Sequence, residues 1–145
     1  MLSSTNDIIE WEQKMKIAIV TDDSNTISAH FGRALYYEVF TVADGKIAER
    51  ETRTKANHHD FTGEPHVHQH GSEHGVDPAS QRRHDLMIEP INDCQVLIAR
   101  GMGTGAYRRL KSNGIHPIIT DVEGIEEAIN SYLIGKLTDH PEKLH

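Results

Sequence analysis

The stretch Lys16–Ala34 constrains the fold of this chain more than any other. Its apolar run Ile17–Val20 stops at the acidic pair Asp22-Asp23, and a short polar loop leads to the tetrad His30–Arg33. A run that is apolar on both faces is typical of a central strand covered on both sides. Open α/β sheets bind their ligands beyond the carboxyl ends of such strands. The stretch therefore predicts a binding site at the end of the first strand, and it favours binding over catalysis.

Length, charge and cysteine content narrow the class of protein. With 145 residues the chain fits one domain with a sizeable core. Its net charge is −7 with histidine neutral, and its Lys and Arg residues form no cluster longer than a pair, so nucleic acid is not an expected partner. The single cysteine fits a reducing compartment, and the sequence has neither an apolar stretch of about 18 residues nor a secretory signal. We expect a cytoplasmic protein without a membrane span.

The order of predicted elements indicates an α/β fold. After the first strand, Tyr36–Val42 and Lys46–Arg53 read as a hairpin around the turn Asp44-Gly45. Apolar periodicity and helix signals define the later elements; the signals are Asp77-Pro78 at a helix start and Asn113-Gly114 and Gly135 at helix ends. The predicted elements are a helix from Asp77 to Glu89, a strand over Gln95–Ala99, a helix to about Ser112, a strand over Ile115–Thr120 and a helix over Val122–Leu133. This pattern predicts a mixed five-stranded sheet with helices on its faces. Residues 1–15 are expected to be a flexible extension, and residues 138–145 a loose tail.

A histidine-rich segment, residues 57–75, interrupts this pattern. It holds six histidines among nineteen residues, and a further histidine stands on the following helix: His58, His59, His66, His68, His70, His74 and His84. His66, His68 and His70 alternate with other residues, so an extended backbone would place their rings on one face, where they could hold zinc, nickel, cobalt or copper. The alternative is a solvated linker that binds metal only adventitiously. The sequence favours metal binding and leaves its biological use open.

A glycine loop, Arg100–Gly105, follows the fourth predicted strand. Backbone N–H groups at the start of the next helix can hold a phosphate or the sulfides of an anionic cluster. The glycine spacing, with Asp121 after the next strand, also imitates a dinucleotide fingerprint. Because the loop follows a late strand in a small domain, nucleotide binding is the poorer interpretation.

Three blocks of the sequence resemble the dinitrogenase iron–molybdenum-cofactor biosynthesis family. They are ISAHFGRA at 27–34, CQVLIARGMGTGAYRRLKSNGIHPIIT at 94–120 and IEEAINSYLIGKL at 125–137. The resemblance covers roughly residues 16–137. It implies a single ribonuclease-H-like, three-layer domain with sheet order 3-2-1-4-5 and an antiparallel second strand. Residues 57–75 are then an insert in that domain.

The resemblance also implies a function. It indicates a non-catalytic carrier that moves an iron–sulfur precursor of the nitrogenase cofactor, or a related metallocluster, between assembly proteins. The residues that match the family motifs and would bind the cluster are His30, Phe31, Gly32, Arg33, Arg100, Gly101, Met102 and Gly103, with His30 as the metal ligand. The insert raises the possibility that this chain handles simple metal ions instead of a preformed cluster.

Several alternatives stay open at this level. His30 could cap a loop without binding metal. Asp22 and Asp23 could orient His30 or bind a hard cation, although aspartates at strand ends more often accept hydrogen bonds from turn amides. Cys94 could supply a thiolate or be an inert core residue. Two other functions compete with the carrier: a metal-ion sensor or buffer that acts through the insert, and a nuclease, which would need several converging carboxylates.

Overall fold

A five-stranded mixed sheet forms the centre of the protein. The structure, a computed structural model, describes residues 14–56 and 78–145. The predictions for the N-terminal extension and for the insert therefore lie almost wholly outside the described residues. The strands are β1 (Met15–Thr21), β2 (Tyr36–Ala43), β3 (Lys46–Thr54), β4 (Val96–Ala99) and β5 (His116–Ile119). Their order is β3-β2-β1-β4-β5, which confirms the mixed five-stranded sheet.

Strand β1 occupies the middle of the sheet, as its two-sided apolar character predicts. It pairs antiparallel with β2 and parallel with β4, where Ile17 lies opposite Val96 and Ile19 opposite Ile98. Strand β5 continues the parallel half beyond β4. Residues Ile17–Val20 and all of β4 are buried, so the apolar core surrounds these two neighbouring strands. Because β1 and β4 are parallel, their carboxyl ends lie at the same edge of the sheet.

The β2–β3 hairpin turns at Asp44 and Gly45, as predicted. Both residues have positive φ, 54° and 75°, which is typical of a two-residue turn joining twisted antiparallel strands. Strand β3 lies at the edge of the sheet and is almost entirely exposed. Glu38 on β2 is buried, and its carboxylate accepts hydrogen bonds from Arg50 and Thr52 of β3. The buried charge is thus paired across the hairpin.

Three helices accompany the sheet: α1 (Pro78–Ile88), α2 (Thr104–Ser112) and α3 (Ile125–Leu133). Helices α1 and α2 pack on each other and are joined by an ion pair between Asp85 and Arg109. Among the helices that the structure describes, none has the length and apolar character to cross a membrane.

Two helix boundaries differ from the prediction. Helix α3 begins three residues later than expected, because the main chain at Gly124 is extended and forms an isolated bridge with Thr26. Helix α1 ends at Ile88, and Pro90 falls in a following 3-10 turn, Glu89–Ile91. The predicted cap Asp77 lies outside the described residues.

The prediction of a loose tail after α3 was wrong. Helix α3 ends before Gly135, which has a φ of +74°. The chain then returns to the carboxyl end of β5. His140 donates its N–H to the Ile119 carbonyl at 2.8 Å, and the Ile119 N–H donates to Asp139 Oδ1 at 2.9 Å. The tail is therefore bonded to the edge of the sheet where the predicted site lies.

Candidate functional site

The loops after β1 and β4 meet through their main chains. The Phe31 N–H donates to the Gly101 carbonyl at 3.0 Å. A Cβ atom added to Gly101 would lie 2.7 Å from the Ala29 carbonyl oxygen, closer than such contacts allow. Glycine at position 101 therefore lets the two backbones touch. The structure thus brings the His30–Arg33 tetrad beside the Arg100–Gly103 loop.

The tetrad forms a tight 3-10 turn. The His30 carbonyl accepts hydrogen bonds from the Ala34 N–H at 3.1 Å and the Arg33 N–H at 3.2 Å. The His30 N–H donates to Ser28 Oγ at 3.3 Å. Phe31 is buried and anchors the turn in the core, whereas the side chains of His30 and Arg33 are exposed. The turn therefore presents an imidazole and a guanidinium to solvent on a rigid main chain.

A buried lysine, which the sequence analysis did not single out, supports this turn from below. Lys55 is only 2% exposed, and its Nζ donates to the carbonyls of Ala34 and Ala56 at 3.3 and 3.0 Å. Its main-chain N–H donates to the Leu35 carbonyl at 3.0 Å. No local sequence signal marks such a residue, because a lysine after an exposed edge strand is normally solvated.

The two strand-end aspartates hold turns. Asp22 Oδ1 accepts the Leu35 N–H at 3.0 Å, which ties the strand end to the far side of the tetrad. Asp23 accepts the N–H groups of Asn25 and Thr26 at 2.9 and 2.7 Å, and the Thr26 hydroxyl at 2.9 Å. These hydrogen bonds lower the pKa of Asp23 to about 2. Both side chains thus accept hydrogen bonds from turn amides, and within residues 14–56 and 78–145 no cluster of metal-binding carboxylates converges on them.

The tail after α3 contacts the amino end of α2. Gly103 is the N-cap of the helix, and Met102 before it is buried. The first helical N–H, that of Thr104, donates to the main-chain oxygen of His145 at 3.0 Å. The Arg100 guanidinium points toward Glu123, at 3.6 Å. The N–H group at the helix start, where the sequence predicts an anion site, is therefore hydrogen-bonded to an oxygen of the chain itself.

Asp121 belongs to the same tail contacts. Its carboxylate lies 3.1 Å from His140 Nε2 and is also ion-paired with Lys143. In a dinucleotide fingerprint this carboxylate would have to be available to a ribose. Because the Asp121 carboxylate is already paired with His140 and Lys143, nucleotide binding remains the poorer interpretation of the glycine loop. The tail was not predicted to be part of this region. Leu137 and Leu144, which pack against the core, are signals that could have marked it.

The remaining candidate ligands lie apart from this arrangement or cannot be placed. Cys94 is buried, and burial, followed by the charge of Asp93, raises the pKa of its thiol to about 12, which favours the inert interpretation. His84 is half-buried on α1. The six histidines of the insert lie outside the described residues. Within residues 14–56 and 78–145, no three His, Cys, Asp or Glu side chains are grouped so that they could hold a metal ion.

These observations define a small α/β domain in which the loops after β1 and β4 meet at one edge of the sheet. A family model described as dinitrogenase iron–molybdenum cofactor matches residues 13–135. The chain belongs to this family, and the resemblance of the three sequence blocks is confirmed.

Known relatives and solved structures agree with that membership. The chain is 28% identical over 107 residues to protein NifX of Herbaspirillum seropedicae, covering 74% of this chain and 62% of the relative. It is 26% identical over 123 residues to protein NifX of Sinorhizobium fredii, covering 80% and 66%. The chain thus spans less than two thirds of the length of these curated relatives.

Two solved structures share the fold. One is the crystal structure of PH0822, with a TM-score of 0.57 and 24% identity over 88% of this chain and 96% of that one. The other is the apo form of the orange protein from Desulfovibrio gigas, with a TM-score of 0.57 and 17% identity over 88% and 93%. At these identities the likeness concerns the fold alone.

Proposed function

We propose that this chain is a non-catalytic carrier of an iron–sulfur cluster related to the iron–molybdenum cofactor. The cluster binds between His30 and the glycine loop Arg100–Gly105, and the carrier passes it between metallocluster assembly proteins. The hydrogen bond from Phe31 to Gly101 carries this proposal, because it holds the exposed imidazole beside the glycine loop. Membership of the iron–molybdenum cofactor family supports the choice of cargo.

The residues at this site fit an anionic metallocluster. Imidazole is a suitable ligand for iron, and the His30 ring is exposed on an anchored turn. The guanidinium groups of Arg33 and Arg100 lie on the two loops and favour negative charge. A preformed cluster brings its own sulfides, so it needs few protein ligands. Cys94 does not compete with His30 for this role, because its thiol is buried.

We also assign the fold to the ribonuclease-H-like type. The sheet order β3-β2-β1-β4-β5 and the antiparallel β2 support this assignment. Asp22 and Asp23 bind turn amides here, and we propose no nuclease activity.

A metal-ion sensor or buffer that acts through the insert is the second candidate function. The density of histidines in residues 57–75 favours it. Such binding weakens below about pH 6, because a protonated imidazole is not a ligand. Deletion of residues 57–75 then abolishes stoichiometric metal binding, whereas a carrier site at the sheet survives the deletion.

Anaerobic reconstitution with iron and sulfide tests the carrier. We expect the cluster affinity of His30→Ala to fall by about tenfold or more, since loss of a ligand costs at least as much as loss of its supporting contacts. The matched control is His116→Ala, an exposed histidine at the amino end of β5, on the opposite edge of the sheet. Unchanged affinity in His30→Ala, or an equal loss in His116→Ala, would remove His30 from the site.

A further inference from the structure

The segment 139–145, called the strap below, lies across the glycine loop of the proposed site. The main-chain oxygen of His145 accepts the N–H of Thr104 at 3.0 Å and its hydroxyl at 3.3 Å. In return, the His145 N–H donates to the Met102 carbonyl at 3.3 Å. The His145 ring lies over Gly101, with its Cε1 atom 3.6 Å from the position of an added Cβ. The strap therefore touches most of the loop that would contact a cluster.

The two halves of the strap are held differently. Its first half is fixed to β5 by two hydrogen bonds with the main chain of Ile119, one accepted by the Asp139 carboxylate and one donated by the His140 N–H. Its second half is held by the hydrogen bonds between His145 and the loop, by the packing of Leu144 against the core and by the ion pair of Lys143 with Asp121. The His140 ring, at the hinge, also contacts Asp121. The Asp121 side chain is 57% exposed, and ion pairs in water contribute about 0–1 kcal/mol each. None of the hydrogen bonds that the structure describes for the far half is to a strand residue, so its release would leave the two bonds to β5 in place.

We propose that residues 141–145 are a displaceable cover of the cluster site, hinged at Asp139 and His140. This inference rests on the proposed function for the identity of the cargo. The closed strap and the cluster both need the Thr104 N–H and the space over Gly101, so they exclude each other. When a binding-competent state is only partly populated, the apparent affinity falls in proportion to its population. The strap thus sets how readily the carrier accepts and holds its cargo.

The test loosens the strap in the otherwise unchanged protein. Asp121→Asn removes the charge that Lys143 and His140 contact. Glu127→Gln is the matched control, because it makes the same charge change on an exposed residue of α3. Two quantities are measured: amide hydrogen exchange of Thr104 in the free protein, and affinity for an iron–sulfide cluster formed anaerobically.

We expect faster exchange at Thr104 in Asp121→Asn and unchanged exchange in Glu127→Gln. Cluster affinity rises in Asp121→Asn, by at most about fivefold if the strap of the parent covers the loop for about four fifths of the time. Faster exchange at Thr104 in Asp121→Asn together with unchanged or weaker cluster affinity would overturn the proposal that the strap covers the site.

A second variant keeps the test decisive if Asp121→Asn leaves the exchange of Thr104 unchanged. Removal of residues 141–145 deletes the cover and keeps both hinge contacts. Its affinity must exceed that of the parent, and an equal or lower affinity overturns the inference alone. Failure of the parent and of every variant to retain a cluster overturns the proposed function, and the inference with it.

Discussion

Lys55 lies directly beneath Phe31, with its ammonium nitrogen 4.8 Å from the centroid of the ring. The same nitrogen donates to two main-chain carbonyls, one of them in the turn that carries His30. The Lys55 ammonium group thus contacts both the Phe31 ring and the end of the turn at Ala34. The rigidity of the proposed ligand turn depends on this side chain.

Replacing Lys55 should therefore destabilise the protein. In Lys55→Met, the carbonyls of Ala34 and Ala56 lose a donor, and we expect the free energy of unfolding to fall by about 1–3 kcal/mol. The control is Lys111→Met, in which an exposed lysine lies 4.7 Å from the Tyr107 ring; there the change should stay within about 0.5 kcal/mol. Urea denaturation measures both. Equal small changes would mean that Lys55 does not support the turn.

The contact between the two loops predicts a sharp difference between neighbouring glycines. Gly101→Ala forces the backbones at Ala29 and Gly101 apart, which should cost about 1–3 kcal/mol of stability and weaken cluster binding. At Gly103 an added Cβ would lie 3.7 Å from the His145 oxygen, an ordinary contact, so Gly103→Ala should cost under about 1 kcal/mol. Denaturation curves of the two variants check this, and a reversed order would contradict the close approach.

Asp23 should contribute to acid lability. Its pKa is lowered to about 2 from an ordinary 3.8, chiefly by hydrogen bonds from the N–H groups of Thr26 and Asn25. A carboxyl whose folded pKa is depressed stabilises the fold above its unfolded pKa and loses that effect as the pH falls through its folded pKa. The stability difference between the parent and Asp23→Asn should thus be constant above about pH 5 and shrink between about pH 4 and 2. A difference that does not vary over that range would show that the turn does not hold the carboxylate.

Cys94 should be chemically inert in the folded protein. Its pKa of about 12 leaves almost no thiolate at neutral pH, and the side chain is buried. Alkylation by iodoacetamide at pH 8 should be far slower in the native protein than in the chain unfolded in urea. Similar rates in the two states would reopen Cys94 as a ligand.

The sequence predicts the sheet well and the site only in part. The two-sided apolar runs of β1 and β4 place both strands in the centre, and the turn residues Asp44 and Gly45 set the hairpin, because these signals are local. The loops at 30–33 and 100–103 could also be found, since their strands run parallel and end at one edge. Lys55 and the strap could not. Their contacts join residues far apart in the chain, and no periodic pattern records such pairs.

The central claim, a cluster site on the sheet itself, is tested most directly by reconstituting the intact protein and a variant without residues 57–75. Iron and sulfide are supplied anaerobically, and visible absorption and the iron-to-sulfide ratio of each product are measured. The account predicts that both proteins retain iron and sulfide together. Iron or zinc bound without sulfide, and only when residues 57–75 are present, would contradict it and make the histidine-rich insert the metal-binding part of the chain.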